Sequence, residues 1–312
     1  MTISILRSAD GWWVRTADGA AAVDTVATTT GELLADRAAT ERALTSTDTV
    51  AVGSLGLLSP VTTPCRVVAQ MTNYISHVRD SGMDPNSVPL TFFRKASASI
   101  TGPFGEIVKP PHVRFLDYEV EIGLVIGRDV AVGTAITDDN LSDYVAGLVV
   151  TNDVSARDVQ LPQTQFYEAK SYPTFTPVGP ALVLLDHDEL KRFSDLRLRL
   201  RVNGHVRQDM TVGGDIIYPP VRALQALSRF QPLRAGDLVM TGTPVGTALS
   251  APPALAQVLA SLLPPAVKWK AFFNRQAKNA KYLHDGDVVE AAVATDDGAI
   301  DLGTQRTMVR YG

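Results

Sequence analysis

The sequence predicts an α+β chain that is mostly β, with a small N-terminal unit and a large domain built on a mostly antiparallel, rolled or barrel-like sheet. Three observations carry this. Short β-branched and aromatic runs bounded by Gly, Asp and Pro recur along the chain. Segments with helical spacing are few. Strands do not alternate with helices in the βαβ fashion of a parallel sheet.

Residues 1–60 read as a small α+β domain. TISILR, GWWVRT and AAAVDTV are short strands split by SADG and ADG turns. TGELLADRAATERALTS follows as a helix, with Thr30 as its N-cap and Leu33, Leu34 and Ala38 on one face. LLSPVTTP ends the unit with two prolines. Residues 61–312 form the large domain. Its clearest hairpin is LRLRLRVNGHVRQ, where Leu196, Leu198, Leu200 and Val202 alternate with Arg197, Arg199 and Arg201, and Asn203-Gly204 supplies a type I′ turn. The arginine face reads as solvated, with an anion site as the alternative. Helices are expected at TDDNLSDYVAGLVV from Thr137 and at PPVRALQALSRF from Pro219.

Composition narrows the function. A net charge of −4, spread along 312 residues, argues against nucleic acid and against an anionic membrane as partners. Cys65 is the one cysteine, so no intrachain disulfide can form, and a reducing cytoplasm is expected. The start, MTISILRSADGWWVR, has no long apolar run and predicts no signal peptide. No window reaches the roughly 18 apolar residues of a membrane span.

One stretch carries chemistry. In FLDYEVEIGLVIGRDV, residues Val120, Ile122, Leu124, Val125 and Ile126 favour a strand, yet Glu119 and Glu121 sit two apart in it. Side chains at i and i+2 of a strand share a face. Like charges held that close repel unless something positive stands between them. Asp153 adds a third carboxylate where the apolar strand GLVVTN turns. Three carboxylates from strand ends, with no Cys or His ligand set nearby, make a hard oxygen site suited to Mg²⁺ or Mn²⁺, with Ca²⁺ as an alternative. Six-fold coordination leaves about three positions for water or substrate, as a catalytic ion requires. An E-x-E pair in a strand is also commonly a plain solvated face. His77 has Asp80 three residues later, in NYISHVRDSG. In a short helix the two share a face, and a carboxylate beside an imidazole suits a general base that activates water.

DYEVEIGLVIGRDV, DYVAGLVVTNDVSARDVQ, AKSYPTFTPVGP, VNGHVRQ and LRAGDLVMTGTPVG, with NYISHVRD upstream, stand in the order found in the fumarylacetoacetate hydrolase (FAH) superfamily, which the chain resembles. The resemblance covers roughly residues 65–250 and, near the C-terminus, LHDGDVVEAAV. It implies the FAH-type mixed β-sandwich roll, a divalent metal on Glu119, Glu121 and Asp153, a homodimer, and chemistry on a small oxo-acid or diketone. It also gives His77 and Asp80 the part of the general base, although Glu is commoner than Asp at the second position. Lys170 matches a lysine that contacts the substrate and would stabilise an oxyanion or enolate. Arg157 and Gln160 match positions that contact substrate carboxylate or carbonyl groups. Thr243, in TGTPVG, offers a hydroxyl and backbone amides at a strand end, while Gly242, Pro244 and Gly246 also suit a plain turn.

The expected reaction is metal-dependent hydrolysis of a C–C bond in a 1,3-dicarbonyl such as an acylpyruvate. The alternatives at the same metal site are decarboxylation of an oxaloacetate-like acid, and enol–keto tautomerisation or hydration of a 2-oxo acid. A degenerate, non-catalytic binding protein is disfavoured because the ligands, the His77–Asp80 pair and Lys170 are all present. One segment departs from the family pattern. Residues 247–282 form an insert in which Trp269, Phe272, Phe273, Gln276 and Ala280 fall near helical spacing. Lys268, Lys270, Arg275, Lys278 and Lys281 give it five positive charges. It reads either as a cationic lid or as an amphipathic helix packed on a dimer partner.

Overall fold

The computed structural model describes residues 2–163, 165–249 and 264–312. A nine-stranded sheet runs from edge to edge as Ala20–Ala22, Gly11–Arg15, Ile3–Ser8, Leu182–Leu184, Val145–Asn152, Val120–Ile126, Leu238–Met240, Val67–Gln70 and Phe92–Lys95. A five-stranded sheet follows the order His205–Thr211, Leu196–Val202, Val288–Thr295, Asp301–Tyr311 and Glu106–Lys109. Within these two sheets, pairing is antiparallel except between Leu238–Met240 and Val67–Gln70, and between Asp301–Tyr311 and Glu106–Lys109. The fold is therefore the expected mixed, mostly β arrangement. Neither sheet closes on itself, so the barrel form of that expectation does not occur among the described residues.

Why Val120–Ile126 is apolar almost without interruption follows from its place. One face, with Ile122 and Leu124, packs in a core shared with Leu198, Leu200 and Val293 of the smaller sheet. The other, with Val125, joins Trp12, Leu33 and Ala39. A strand covered on both sides needs apolar residues at successive positions rather than alternating ones.

The covering on that second side is the N-terminal segment. Residues 1–60 do not carry a sheet of their own: Ile3–Ser8 pairs with Leu182–Leu184 and extends the large sheet. The helix expected from Thr30 is two helices, Thr30–Ala35 and Arg37–Leu44. Its N-cap is Thr29, whose hydroxyl accepts from Glu32 N while the Glu32 carboxylate accepts from Thr29 N, a reciprocal capping box. The helix expected from Thr137 shrinks to Leu141–Tyr144, because the apolar run after it pairs with Val120–Ile126 as Val145–Asn152. The helix near Pro219 spans Pro220–Ser228. Asn203 and Gly204 have φ of 52° and 78°, the left-handed pair that a type I′ turn needs. Arg197 and Arg199 are ion-paired with Asp209 and Asp296, so these carboxylates take the place of any external anion.

Within the insert, Pro265–Gln276 is helical, and residues 250–263 lie outside the described part. Phe273 stacks on Phe115 with ring centroids 5.8 Å apart, and Gln276 is buried against the Tyr282 hydroxyl. All five of the cationic side chains at 268, 270, 275, 278 and 281 are exposed.

Candidate metal centre

Antiparallel pairing of Val120–Ile126 with Val145–Asn152 sets Glu121 opposite Thr151 and Val120 opposite Asn152. Glu119 stands just before the first strand and Asp153 just after the second. Asp153 N donates to Glu119 O at 2.8 Å, and Glu119 N donates to Asn152 Oδ1 at 2.9 Å. One end of a strand pair thus gathers all three acids. They are buried, and one carboxylate oxygen of each lies within 4.8 Å of the others.

Three cations surround them. Lys170 Nζ donates to Glu119 Oε2 and to Asp153 Oδ2, both at 2.7 Å. Lys95 Nζ donates to Asp153 Oδ1, and to Phe175 O at 3.0 Å. Arg157 donates to Glu119 Oε1 at 2.5 Å, to Asp117 Oδ2 at 2.8 Å and to Gln160 Oε1 at 2.8 Å. Asp117 also accepts from Ala248 N at 2.7 Å and Leu249 N at 3.1 Å, which ties the start of the insert to the site.

Charge counting leaves a gap in this cluster. Among the described residues, Asp117, Glu119, Glu121 and Asp153 face Lys95, Lys170 and Arg157, so with every acid ionised one negative charge would be in excess. The exception is Glu121. Among the described residues its carboxylate meets no cationic side chain and accepts only from Gly242 N, at 2.8 Å. Gly242 has φ of 84°, and a Cβ there would fall 2.9 Å from that of Asn73, so glycine is required for this approach.

The titration of the two glutamates divides accordingly. Burial, followed by the charges of Asp153 and Glu119, pushes Glu121 well above the usual carboxylate range. Burial also raises Glu119, but Lys170 and Arg157 outweigh it and hold this carboxyl far below that range. Three convergent oxygens and one uncompensated carboxylate fit a hard divalent cation. Glu119, Glu121 and Asp153 would hold it.

The positive group between the carboxylates is thus in part an ammonium. Lys170 bridges two of the three acids. Arg157 reaches neither Asp158 nor solvent: its fork is taken by Asp117 and Glu119, while Asp158 accepts from the Arg114 and Phe115 amides. Gln160 is held by Arg157. The Thr243 hydroxyl donates to Val120 O and accepts from Gln208, both at 2.8 Å, so it is not available as a donor. His77 lies in the short helix Ile75–Asp80 that Asp80 ends. Its Nδ1 is buried without a hydrogen-bond partner, so the expected bond to Asp80 is not made through that atom. Burial lowers the His77 pKa, with the charge of Glu119 opposing.

Two members of the cluster, Lys95 and Asp117, were not among the sequence candidates. Asp117 continues the same spacing of two backward from Glu119. Lys95 is a charged residue closing the strand Phe92–Lys95, and it is buried. A cavity of about 340 Å³ reaches this cluster and is lined by His77, Arg157, Gln160, Lys170 and Thr243 together with all three acids. Among the described residues, no helix is long and apolar enough to cross a membrane.

Comparison with known proteins agrees with this geometry. The model of the family described as fumarylacetoacetate (FAA) hydrolase, C-terminal, matches residues 66–310. A Bos taurus protein named oxaloacetate tautomerase FAHD2A, mitochondrial, is 37% identical over 191 residues, which are 61% of this chain and 59% of that protein. The chain therefore matches less than two thirds of that relative's length. A crystal structure of a probable 2-hydroxyhepta-2,4-diene-1,7-dioate isomerase from Mycobacterium abscessus is 30% identical, with a TM-score of 0.75 over 100% of this chain and 99% of the other. A fumarylacetoacetate hydrolase from Exiguobacterium antarcticum is 27% identical, with a TM-score of 0.69 over the whole of both chains. These names cover tautomerase, isomerase and hydrolase reactions, so they do not single out hydrolysis. Since the family model spans most of the sequence and the fold is shared end to end with such structures, the chain belongs to the fumarylacetoacetate hydrolase family.

Proposed function

We propose that the protein is a divalent-metal-dependent tautomerase that interconverts the enol and keto forms of a 2-oxo acid. The observation that carries this reading is the state of His77: a cavity-lining imidazole with a buried, unpaired Nδ1 and no bond from that atom to Asp80. Hydrolysis needs water activated by an oriented base. Tautomerisation needs only one group that can carry a proton between carbon and oxygen. The names of the Bos taurus and Mycobacterium abscessus relatives support the same reading.

Glu119, Glu121 and Asp153 would hold a divalent cation, Mg²⁺ or Mn²⁺ first and Ca²⁺ next, which would supply Lewis-acid stabilisation of negative charge on a 2-oxo acid. His77, kept neutral by burial, takes the proton from C3 and delivers one to the C2 oxygen. Lys170, held charged by Asp153 and Glu119 against the effect of its burial, adds positive charge beside the enolate. Arg157 and Gln160 act mainly by fixing Glu119 and the cavity wall. Residence in the cytoplasm and assembly as a homodimer belong to the same proposal.

The similarity to the Exiguobacterium antarcticum hydrolase supports a second reading, C–C bond hydrolysis of a 1,3-dicarbonyl, for which Asp80 would have to swing onto His77. One experiment separates them. Enol oxaloacetate and an acylpyruvate are each followed by loss of enol absorbance with Mg²⁺ or Mn²⁺, and the products are identified. A tautomerase returns the keto acid intact. His77→Ala should then slow it about 100-fold or more, while Asp80→Asn changes little. Cleavage products and comparable losses in both variants would replace the tautomerase with the hydrolase. Release of CO₂ would point to the decarboxylase.

A further inference from the structure

The cavity beside the acids is larger and more apolar than a small dicarboxylate requires. Its volume of about 340 Å³ lies within the range of about 300–1,000 Å³ of small-molecule sites. Met71, Met83, Phe93, Leu161, Phe166 and Leu249 line it. The Phe93 and Phe166 rings meet edge to face, 5.7 Å apart at 72°. Such a pair offers an aryl or branched alkyl group an apolar wall and ring-edge contacts.

A second carboxylate would find no unpaired Lys or Arg side chain there, only the Thr72 and Ser81 hydroxyls of the wall. Among the described residues, Lys170 and Arg157 are the lining Lys and Arg side chains, and each is already ion-paired with two carboxylates. Gln70 also lines the cavity. Its Nε2 donates to Tyr218 O at 3.3 Å, and its Oε1 is buried without a partner. Turning the amide round would set two oxygens against each other, so Tyr218 fixes this orientation. An unpaired acceptor and no free cation make the burial of a distal carboxylate costly.

We propose that this cavity selects 2-oxo acids whose C3 substituent is neutral and apolar, an aryl or branched alkyl group, over dicarboxylates such as oxaloacetate. The selection rests on the tautomerase reading for its head group and on the cavity lining for its tail. The head group's carboxylate and 2-oxo oxygen face the acidic centre, and the tail lies along Phe93, Phe166 and Met83.

Binding of unreactive 2-hydroxy acids tests the tail apart from the reaction. The full-length protein, loaded with Mg²⁺, is titrated calorimetrically with 3-phenyllactate and with malate. Phenyllactate should bind at least about tenfold more tightly. Equal binding, tighter malate, or no binding of either overturns the inference. Phe166→Arg, which places a cation in the wall, should shift the ratio toward malate by about tenfold, and an unchanged ratio would overturn the placement of the tail. Turnover of enol phenylpyruvate and enol oxaloacetate is measured beside these titrations. Tight phenyllactate binding without tautomerisation of either enol would uphold the selectivity and remove the proposed reaction.

Discussion

Two charged clusters in this molecule share a construction and differ in consequence. Asp117, Glu119 and Glu121 recur at every second residue at the acidic centre, and Arg197, Arg199 and Arg201 do so on the hairpin. Asp117 and Glu119 find opposite charges, as do Arg197 and Arg199, and the contacts are equally short: Arg157 to Glu119 and Arg197 to Asp209 are each 2.5 Å. What differs is water. The Arg157 and Glu119 side chains are 4% and 7% exposed, those of Arg197 and Asp209 33% and 35%. On the hairpin, solvent competes with every pair and salt screens it. At the centre the charges have left water, and each depends on its partner to offset that cost. Ion-pair length therefore says little about which pair matters; burial and the count of uncompensated charge say more.

The strongest test of that contrast is Arg157→Met. It should lower unfolding free energy by about 3–5 kcal/mol, because Asp117 and Glu119 lose a buried partner. Denaturant titration measures it. A loss as small as that of a surface pair would mean the buried cluster is solvated after all.

A finer test compares the neighbouring glutamates. Glu119→Gln should cost on the order of 2 kcal/mol, because Lys170 and Arg157 lose a charged acceptor. Glu121→Gln removes repulsion from Asp153 and Glu119 and takes no cation's partner, so Tm should hold or rise. Calorimetric Mg²⁺ titration should show weakened binding in both variants, by at least about 100-fold. Equal drops in Tm would refute the asymmetry.

The same pair gives opposite pH dependence in metal-free protein. Glu119 has a depressed folded pKa, so its stabilisation is present above the unfolded value of about 4.3 and is lost as pH falls below it. Glu121 has a raised folded pKa, so its contribution is present below that value and is lost as pH rises toward the folded one. Wild type and Glu119→Gln should converge in denaturant midpoint toward acid pH. Wild type should fall behind Glu121→Gln as pH rises. Parallel curves would show that the two carboxyls titrate alike.

The smallest effect is expected on the hairpin. Arg197→Ala should leave the unfolding midpoint nearly unchanged, with any small difference from wild type shrinking as salt is added. A clear loss would make the surface network cooperative and weaken the contrast with the centre.

The sequence displayed one side of this contrast more plainly than the other. Glu119, Glu121 and Asp153 stood out because charge interrupts apolar strands at fixed spacing, and the hairpin because alternation and Asn203-Gly204 are local signals. Thr29 rather than Thr30 as N-cap is an error of one residue, decided by which hydroxyl meets Glu32 N. The way the N-terminal strands join the large sheet was hidden for a different reason: Gly11–Arg15 and Ala20–Ala22 pair locally, but Leu182–Leu184, the partner of Ile3–Ser8, lies far along the chain.

Sequence alone determined the residue types at the centre and the strand that presents them, since spacing and propensity act over a few neighbours. Only the tertiary structure decided who meets whom. Lys170 is 51 residues from Glu119, Arg157 is 40 from Asp117, and Lys95 is 58 from Asp153. It also decided that, among the described residues, Glu121 is the acid of this cluster without a cation, and that the Thr243 hydroxyl is occupied. Charge compensation is a property of volume. Carboxylates and cations from distant strands share one buried space, and no pattern along the chain records which of them is left unpaired.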